Sequence, residues 1–338
     1  MSVYKAQAMF LLFLAKLTFE WWDSGHRSTA RIAQLELTKE QNQWITDLLN
    51  LWPGEEGNII DISSWQDDIK GIQRRVYVMS NWHFANEPFI NATDMSVLQI
   101  PPETYNVSNV IRDCIETINN PSTVSPWALS FAIRCLIHFI GDSHCPVHSI
   151  ALFSERFPTS DRGGNSYYLD RSNLGDAAAN VHKLWDSAGL SHQTYLPIVD
   201  FEHNVSEILQ KYPRSELQDE LSKTDPYSWV RESYAVARKY AYNVSMNHVP
   251  SQDYLLKARD VCHMQFALGG YRLADVLKNF FEKRGLIDLN QGTSNRVSEI
   301  IGWTLSAICV VAIILFSIFD RFFCKKDIQK ILVQTLNT

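Results

Sequence analysis

The sequence predicts an all-α, mostly helical domain with one small hairpin, followed by a single C-terminal transmembrane helix. Three observations carry this. Apolar residues recur at helical intervals through the body of the chain, the loop signal Arg162-Gly163-Gly164-Asn165 runs into SYYLD, and Ile300 to Phe319 holds no charge.

The elements follow in chain order. Residues 1–20 place Lys5 before the run AQAMFLLFLAKLTF, which resembles a short secretory signal whose apolar part is too brief to span a bilayer. Lys16 interrupts that run, and Thr18-Phe19-Glu20 lacks the small residues a signal peptidase prefers, so an uncleaved amphipathic start is the alternative. Residues 21–290 form the folded domain. Thr38-Lys39-Glu40-Gln41 is a capping-box pattern, and Trp44, Leu48, Leu49 and Leu51 follow it at helical spacing. Residues 125–143 read as a buried helix. Two more helices are expected over 227–247 and 251–283, where Leu255, Val261, Phe266, Leu273, Val276 and Phe280 mark apolar faces. Gly269-Gly270 within the second of these predicts close helix packing.

Residues 300–319, IIGWTLSAICVVAIILFSIF, match the thickness of a bilayer core. Arg321, Lys325, Lys326 and Lys330 follow directly, so the positive-inside bias puts residues 320–338 in the cytosol and the domain outside, a single-pass type I topology. A lipid anchor is disfavoured because a charged tail follows the apolar segment. A cell-surface or endo-lysosomal membrane satisfies this arrangement.

Composition narrows the function. The chain has 338 residues and is 46% hydrophobic, enough for one large core or two modest ones; a single domain with appendages fits best. A formal charge of −6 excludes a broad basic surface of the kind that binds nucleic acid through many Lys and Arg contacts. Affinity for phosphate would have to be local, as at bound metal. Sequons at Asn91, Asn106, Asn204 and Asn243 all fall in the predicted outer part and agree with the topology, although each motif alone is weak. Cys114, Cys135, Cys145 and Cys262 lie there too, and an oxidising compartment permits two disulfides in any of three connectivities. Cys309 lies within the span and Cys324 at its cytosolic boundary.

Two pairs carry chemistry. His138/Asp142 in IHFIGD and His182/Asp186 in NVHKLWDS stand at i and i+4, which stacks both side chains on one helical face. A neutral imidazole and a carboxylate can then reach the same ion. Alone, such a pair is more often a surface hydrogen bond, and a lone helical His is more often a satisfied core residue.

Six strings change that weighting: WWDSGH, SSWQDDIK, NWHF, HFIGDSHCPVH, RGGN and NVHKLWD. In order and internal spacing they resemble the class I nucleases, the zinc-dependent single-strand-specific nucleases and 3′-nucleotidases that share a helical three-zinc fold with phospholipase C. The resemblance covers residues 21 to about 285. It looks closest to the trypanosomatid membrane 3′-nucleotidase/nucleases, given the longer loop ending in DRGGN and the membrane tail. It implies three zinc ions per chain. Asp67, His83 and His138 would hold the first, with Asp142 bridging it to the third; His148, His182 and Asp186 would hold the second. Trp21 and His26 would complete the third, Trp21 through its free α-amino nitrogen and carbonyl oxygen, so that signal cleavage would have to expose it. Trp22 is the competing start, and the five-residue spacing to His26 favours Trp21.

The resemblance implies cleavage of single-stranded DNA and RNA to 5′-mononucleotides, and action on 3′-nucleotides. Zinc lowers the pKa of a water it holds from about 15.7 towards about 7; Asp67 would orient that water. Lys70 stands where the family commonly has Arg and would neutralise transition-state charge less specifically than a guanidinium. Phe84 matches an aromatic on which an unpaired base stacks, although by itself it reads as core packing. Asn86 stands where relatives often place Asp, and Asn165 of the GGN element is expected near the site. His144 and Cys145 depart from the family, which commonly has Ser or Thr followed by Gln there; Cys145 is expected in a disulfide or as a small hydrophobe. The same architecture serves a zinc phospholipase C reading, and a catalytically silent membrane glycoprotein is a third. Phe84 and the GGN element favour the nuclease, and the complete ligand set argues against the silent scaffold. No obligate protein partner is implied.

Overall fold

The structure is a computed structural model that describes residues 23–72, 74–120, 124–172, 174–192 and 198–283. The chain divides after Ile287, and every described residue lies on the N-terminal side of that division. The expected signal 1–20, Trp21, the apolar stretch 300–319 and the tail 320–338 lie outside the described residues. Among the described residues no helix is long and apolar enough to cross a membrane.

Helices dominate, as expected. α1 (Asp23–Glu36) buries His26, Thr29, Ile32 and Ala33 on one side. α2 (Lys39–Leu49) starts at Thr38, whose side chain accepts from Gln41 N while the Gln41 side chain accepts from Thr38 N, so the capping box forms. After α3 (Trp65–Ile72) and a 3₁₀ run, Arg74–His83, come α4 (Val107–Asn119) and α5 (Pro126–Ser143). α5 begins as its sequence dictates, with Ser125 capping Ala128 N and proline in the first turn. From Ala132 to Ser143 every residue is buried, which suits a helix apolar on all sides. Its one buried cation, Arg134, lies over the rings of Trp65 and Trp52 and donates to the carbonyls of Leu49 and Glu55, so the charge is solvated by the protein.

α6 (Val181–Asp186), α7 (Ile198–Lys211) and the short α8 (Gln218–Leu221) lead to α9 (Pro226–Val236) and α10 (Gln252–Glu282). The helix expected over 227–247 is shorter: α9 passes into a π-turn, Ala237–Ala241, and Asn247 then adopts a positive φ of 57°. α10 packs along α1, and the glycine pair makes that approach possible. A Cβ on Gly270 would lie 2.5 Å from Ile32 Cγ2 and 2.9 Å from the Thr29 carbonyl. The backbone of α10 thus rests directly on the helix that carries His26.

The expected hairpin does not form. β1 (Glu87–Ile90) and β2 (Ile150–Phe153) pair in parallel, Glu87 opposite Ile150 and Ile90 opposite Phe153. The segment SYYLD contributes only an isolated antiparallel bridge between Tyr168 and Asn180. Leu169 N–H donates to Ala179 O and Tyr167 O accepts from Val181 N–H across that bridge, but Tyr167 N–H turns back to Gly164 O within the loop and Asp170 N–H donates to His248 O. A strand needs consecutive partners, and this one has a single turn's worth. The two disulfides are absent as well, since Cys114, Cys135, Cys145 and Cys262 are free thiols. Cys135 Sγ accepts from Gln66 Nε2 at 3.0 Å, and the thiols of Cys145 and Cys262 point at Asp186 Oδ1 and the Trp185 carbonyl.

Candidate metal centre

Six segments deliver their side chains to one buried region. α1 supplies His26, α3 supplies Asp67, and the 3₁₀ run Arg74–His83 ends on His83. His138 and Asp142 project from consecutive turns of α5, a 3₁₀ turn Pro146–His148 ends on His148, and His182 and Asp186 come from α6. All eight are at most 6% exposed.

Asp142 is the hub. Its Oδ1 lies 3.1 Å from His148 Nδ1 and 3.5 Å from His26 Nε2, and its Oδ2 lies 2.9 Å from His83 Nδ1 and 3.1 Å from His138 Nε2. Each carboxylate oxygen therefore faces two imidazoles, which is the arrangement a bridging ligand requires. Asp67 closes the group, with Oδ1 3.5 Å from both His83 Nδ1 and His138 Nε2. His26 also stacks on His138, ring centres 3.9 Å apart.

The tautomers follow from the outer contacts. His138 Nδ1–H donates to the Ser63 carbonyl at 2.8 Å, so Nε2 turns a lone pair toward Asp142 Oδ2 and His83 Nδ1, 3.1 Å away. His182 repeats the device: Nδ1–H donates to the Gly163 carbonyl at 2.7 Å, and Nε2 faces Asp186 Oδ2 at 3.2 Å. Acceptors this close, buried and facing one another, need a cation or a shared proton between them. Asp142 Oδ1, both ring nitrogens of His148 and Asp186 Oδ2 are buried without a satisfied hydrogen bond. Burial would raise the Asp142 carboxyl, but where a proton rather than a metal is shared with them, His138 and His148 more than offset it and hold it well below its usual range. Burial and the neighbouring His138 keep His26 well below its own, hence neutral and able to ligate.

Among the described residues, three sets of three donors each lie within 4.8 Å of one another: Asp67, His83 and His138; His26, His138 and Asp142; and Cys145, His148 and Asp186. The residues fit divalent metal by donor chemistry, imidazole and carboxylate in dry surroundings. The first set is the one expected for the first ion. The second joins His26 and Asp142, expected at the third ion, with His138, expected at the first; Trp21 lies outside the described residues. The last contains Cys145, which sequence reasoning had placed in a disulfide or in packing.

Around the cluster, Lys70 Nζ lies 3.1 Å from Asp67 Oδ1, and burial, opposed by Asp142, lowers its pKa to about 8. Phe84 and Asn86 are half-buried, and Asn86 has a positive φ of 53°. Its N–H and that of Ala85 donate to the His148 carbonyl, which ties this segment to the donor cluster. Asn165 is half-buried; its amide donates to Arg162 O and so braces the GGN loop. That loop must be glycine at 163, where φ is 63° and a Cβ would stand 2.6 Å from the Val147 carbonyl. Sequence reasoning missed the outer ring: Ser63 O and Gly163 O act through backbone, which leaves no side-chain signature. His144, singled out in the sequence as a departure from the family, has a structural part: its Nδ1–H donates to Ile140 O while Nε2 accepts from Arg272, itself paired with Glu232. A cleft of about 1070 Å³ beside His263 and Asp260 shares no lining residue with the cluster.

The sequons divide. Asn91 and Asn243 are exposed and border one cavity of about 220 Å³. Asn106 is 6% exposed and caps α4, and Asn204 donates its amide to His192 Nε2 at 2.9 Å.

Fold and site together define a helical protein that gathers imidazoles and carboxylates into a buried cluster of candidate metal donors. The chain belongs to the S1/P1 nuclease family, whose model matches residues 21–282. It is 26% identical over 278 residues to Endonuclease 3 of Arabidopsis thaliana, covering 78% of this chain and 90% of that one. It is 25% identical over 295 residues to Nuclease S1 of Aspergillus oryzae, covering 78% and 92%. Over 189 residues it is 30% identical to Nuclease P1 of Penicillium citrinum, covering 52% and 58%.

Proposed function

We propose that this protein is a zinc-dependent phosphoesterase that cleaves single-stranded DNA and RNA to 5′-mononucleotides and removes phosphate from 3′-nucleotides. The observation that carries the reading is the Asp142 carboxylate, buried with each oxygen against two imidazoles. Family membership supports nuclease chemistry, and the names of the plant and fungal relatives agree with it. Asp67, His83 and His138 would hold one zinc, His148, His182 and Asp186 a second, and His26 with Trp21 a third, bridged by Asp142. Bound zinc supplies Lewis-acid polarisation of phosphoryl oxygens and lowers the pKa of water.

The chain's own residues do the rest. Asp67 presents its carboxylate between Lys70 and the two imidazoles, where it orients an attacking water. Lys70 brings positive charge to the side of the phosphoryl group. Phe84 offers a half-buried ring for an unpaired base, and Asn86 offers both a donor and an acceptor to its edge. The GGN loop positions His182 through Gly163 O. We further propose the type I topology, with residues 1–20 removed so that Trp21 becomes the N-terminus; N-terminal sequencing of the mature chain tests that cut.

The activity test uses the zinc-loaded protein on single-stranded DNA, single-stranded RNA and 3′-mononucleotides. Release of 5′-mononucleotides from the two polymers, and of nucleoside and inorganic phosphate from the 3′-mononucleotides, abolished by chelator and by Asp67→Asn, is the expected result. Loaded protein that leaves all three intact while hydrolysing phosphatidylcholine would replace the substrate class, and loaded protein inert toward all of them would leave a silent scaffold.

A further inference from the structure

We infer that Cys145 is a thiolate ligand of the metal at Asp186, which makes this position a sulfur-containing site unlike the nitrogen and oxygen donor sets around Asp142. The inference rests on the reading above that the cluster holds divalent metal.

Cys145 stands where α5 has ended and the Pro146–His148 turn begins, and it is fully buried. Its Sγ lies 3.3 Å from Asp186 Oδ1, and the same oxygen lies 3.4 Å from His148 Nε2. The other Asp186 oxygen lies 3.2 Å from His182 Nε2. Ligands held at about 2.0–2.3 Å around a tetrahedral zinc are separated from one another by roughly 3.3–3.6 Å. The sulfur therefore sits at the distance of a neighbouring ligand, and it forms a compact donor set with His148 and Asp186. His148 Nδ1 and Nε2 face Asp142 Oδ1 at 3.1 Å and Asp186 Oδ1 at 3.4 Å, buried contacts that a cation or a second imidazole proton must satisfy.

Without metal, the thiol donates to Asp186 Oδ1. A divalent cation changes the balance: the metal–sulfur bond forms as the S–H bond breaks, and one proton leaves to solvent. The consequence is selectivity. A thiolate favours zinc and cobalt over magnesium or manganese, and with His148, His182 and Asp186 it fills four protein positions, the count of a structural zinc site.

The test loads the full chain with cobalt(II) and reads the near-ultraviolet thiolate-to-cobalt charge-transfer band alongside cobalt stoichiometry. The band should appear in the natural chain and in a variant whose other five cysteines, Cys114, Cys135, Cys262, Cys309 and Cys324, are changed to Ser. It should vanish in Cys145→Ser. If that variant fails to fold, the five-serine chain decides, because Cys145 is its one remaining cysteine. Cobalt bound without the band, a band that survives Cys145→Ser, or a Cys145–Cys262 disulfide in non-reducing peptide maps overturns the inference and leaves the metal reading standing. A chain that takes up no cobalt overturns both.

Discussion

The donor group around Asp142 and the one around Asp186 differ in how they are built. Asp142 lies in the wholly buried C-terminal two-thirds of a long helix and meets imidazoles from three other segments as well as from its own helix. Asp186 ends a six-residue helix capped by Asn180, and its neighbours depend on a glycine loop and a 3₁₀ turn. The first group is fixed by core packing, the second by local backbone geometry. They should fail differently when perturbed.

The largest expected effect comes from the hub. Asp142→Asn keeps the shape but removes the charge that each of two metal positions shares. Activity on single strands should fall by more than the roughly 10–100-fold typical of losing a group that only orients a ligand. Two metal equivalents should weaken together. Asp186→Asn should cost a single equivalent, read by metal analysis after equilibrium dialysis. Equal losses from the two substitutions would erase the distinction between the groups.

Gly163→Ala tests the loop side alone. The added methyl would meet the Val147 carbonyl at 2.6 Å in a left-handed backbone position, so the loop must move and take the Gly163 carbonyl away from His182 Nδ1. About 10–100-fold weaker binding of one equivalent is expected, with the metal positions around Asp142 unchanged. Gly270→Ala tests the packed side. Its methyl would press on Ile32 and the Thr29 carbonyl in the helix that carries His26, and overpacking of this kind costs about 1–3 kcal/mol. Urea unfolding of the metal-loaded chain measures it. If Gly163→Ala proved the more damaging to global stability and Gly270→Ala the more damaging to one metal, the assignment of packing and loop roles would be reversed.

How much of this was legible depended on whether the information sits in side chains. The capping box at Thr38, the bounds of α5 and both i,i+4 pairs came through because hydroxyls, prolines and imidazoles at fixed spacing have one local outcome. Gly269-Gly270 was readable as a close approach, though not as the approach to α1. The hairpin was not readable, because SYYLD has strand composition but its partners are set by His248 and Gly164, remote or backbone groups that no local pattern encodes. Cys145 packs in the hydrophobic core as a small hydrophobe, one of its two expected fates, but its polar neighbour was not readable: the sequence shows a thiol beside proline, whereas only the fold reveals Asp186, 41 positions away, at its sulfur.

The smallest expected effect concerns the sequons, and it too separates the two sides. Asn106 caps α4 with its own side chain, and the next residue's N–H donates to the Phe84 carbonyl, one position from His83. A glycan on Asn106 would take the cap apart, a loss of about 1 kcal/mol, and would crowd the segment that delivers His83 to Asp142. Asn91 and Asn243 are exposed at the cavity by the β-strands, where a glycan meets solvent. In a chain routed through the secretory lumen, glycopeptide mapping should find Asn91 and Asn243 occupied and Asn106 bare, and Asn91→Gln or Asn243→Gln should leave nuclease turnover unchanged. Full occupancy of Asn106 in active protein would mean that the α4 cap opens without disturbing His83, and the rigidity ascribed to the Asp142 side would then have to come from α5 alone.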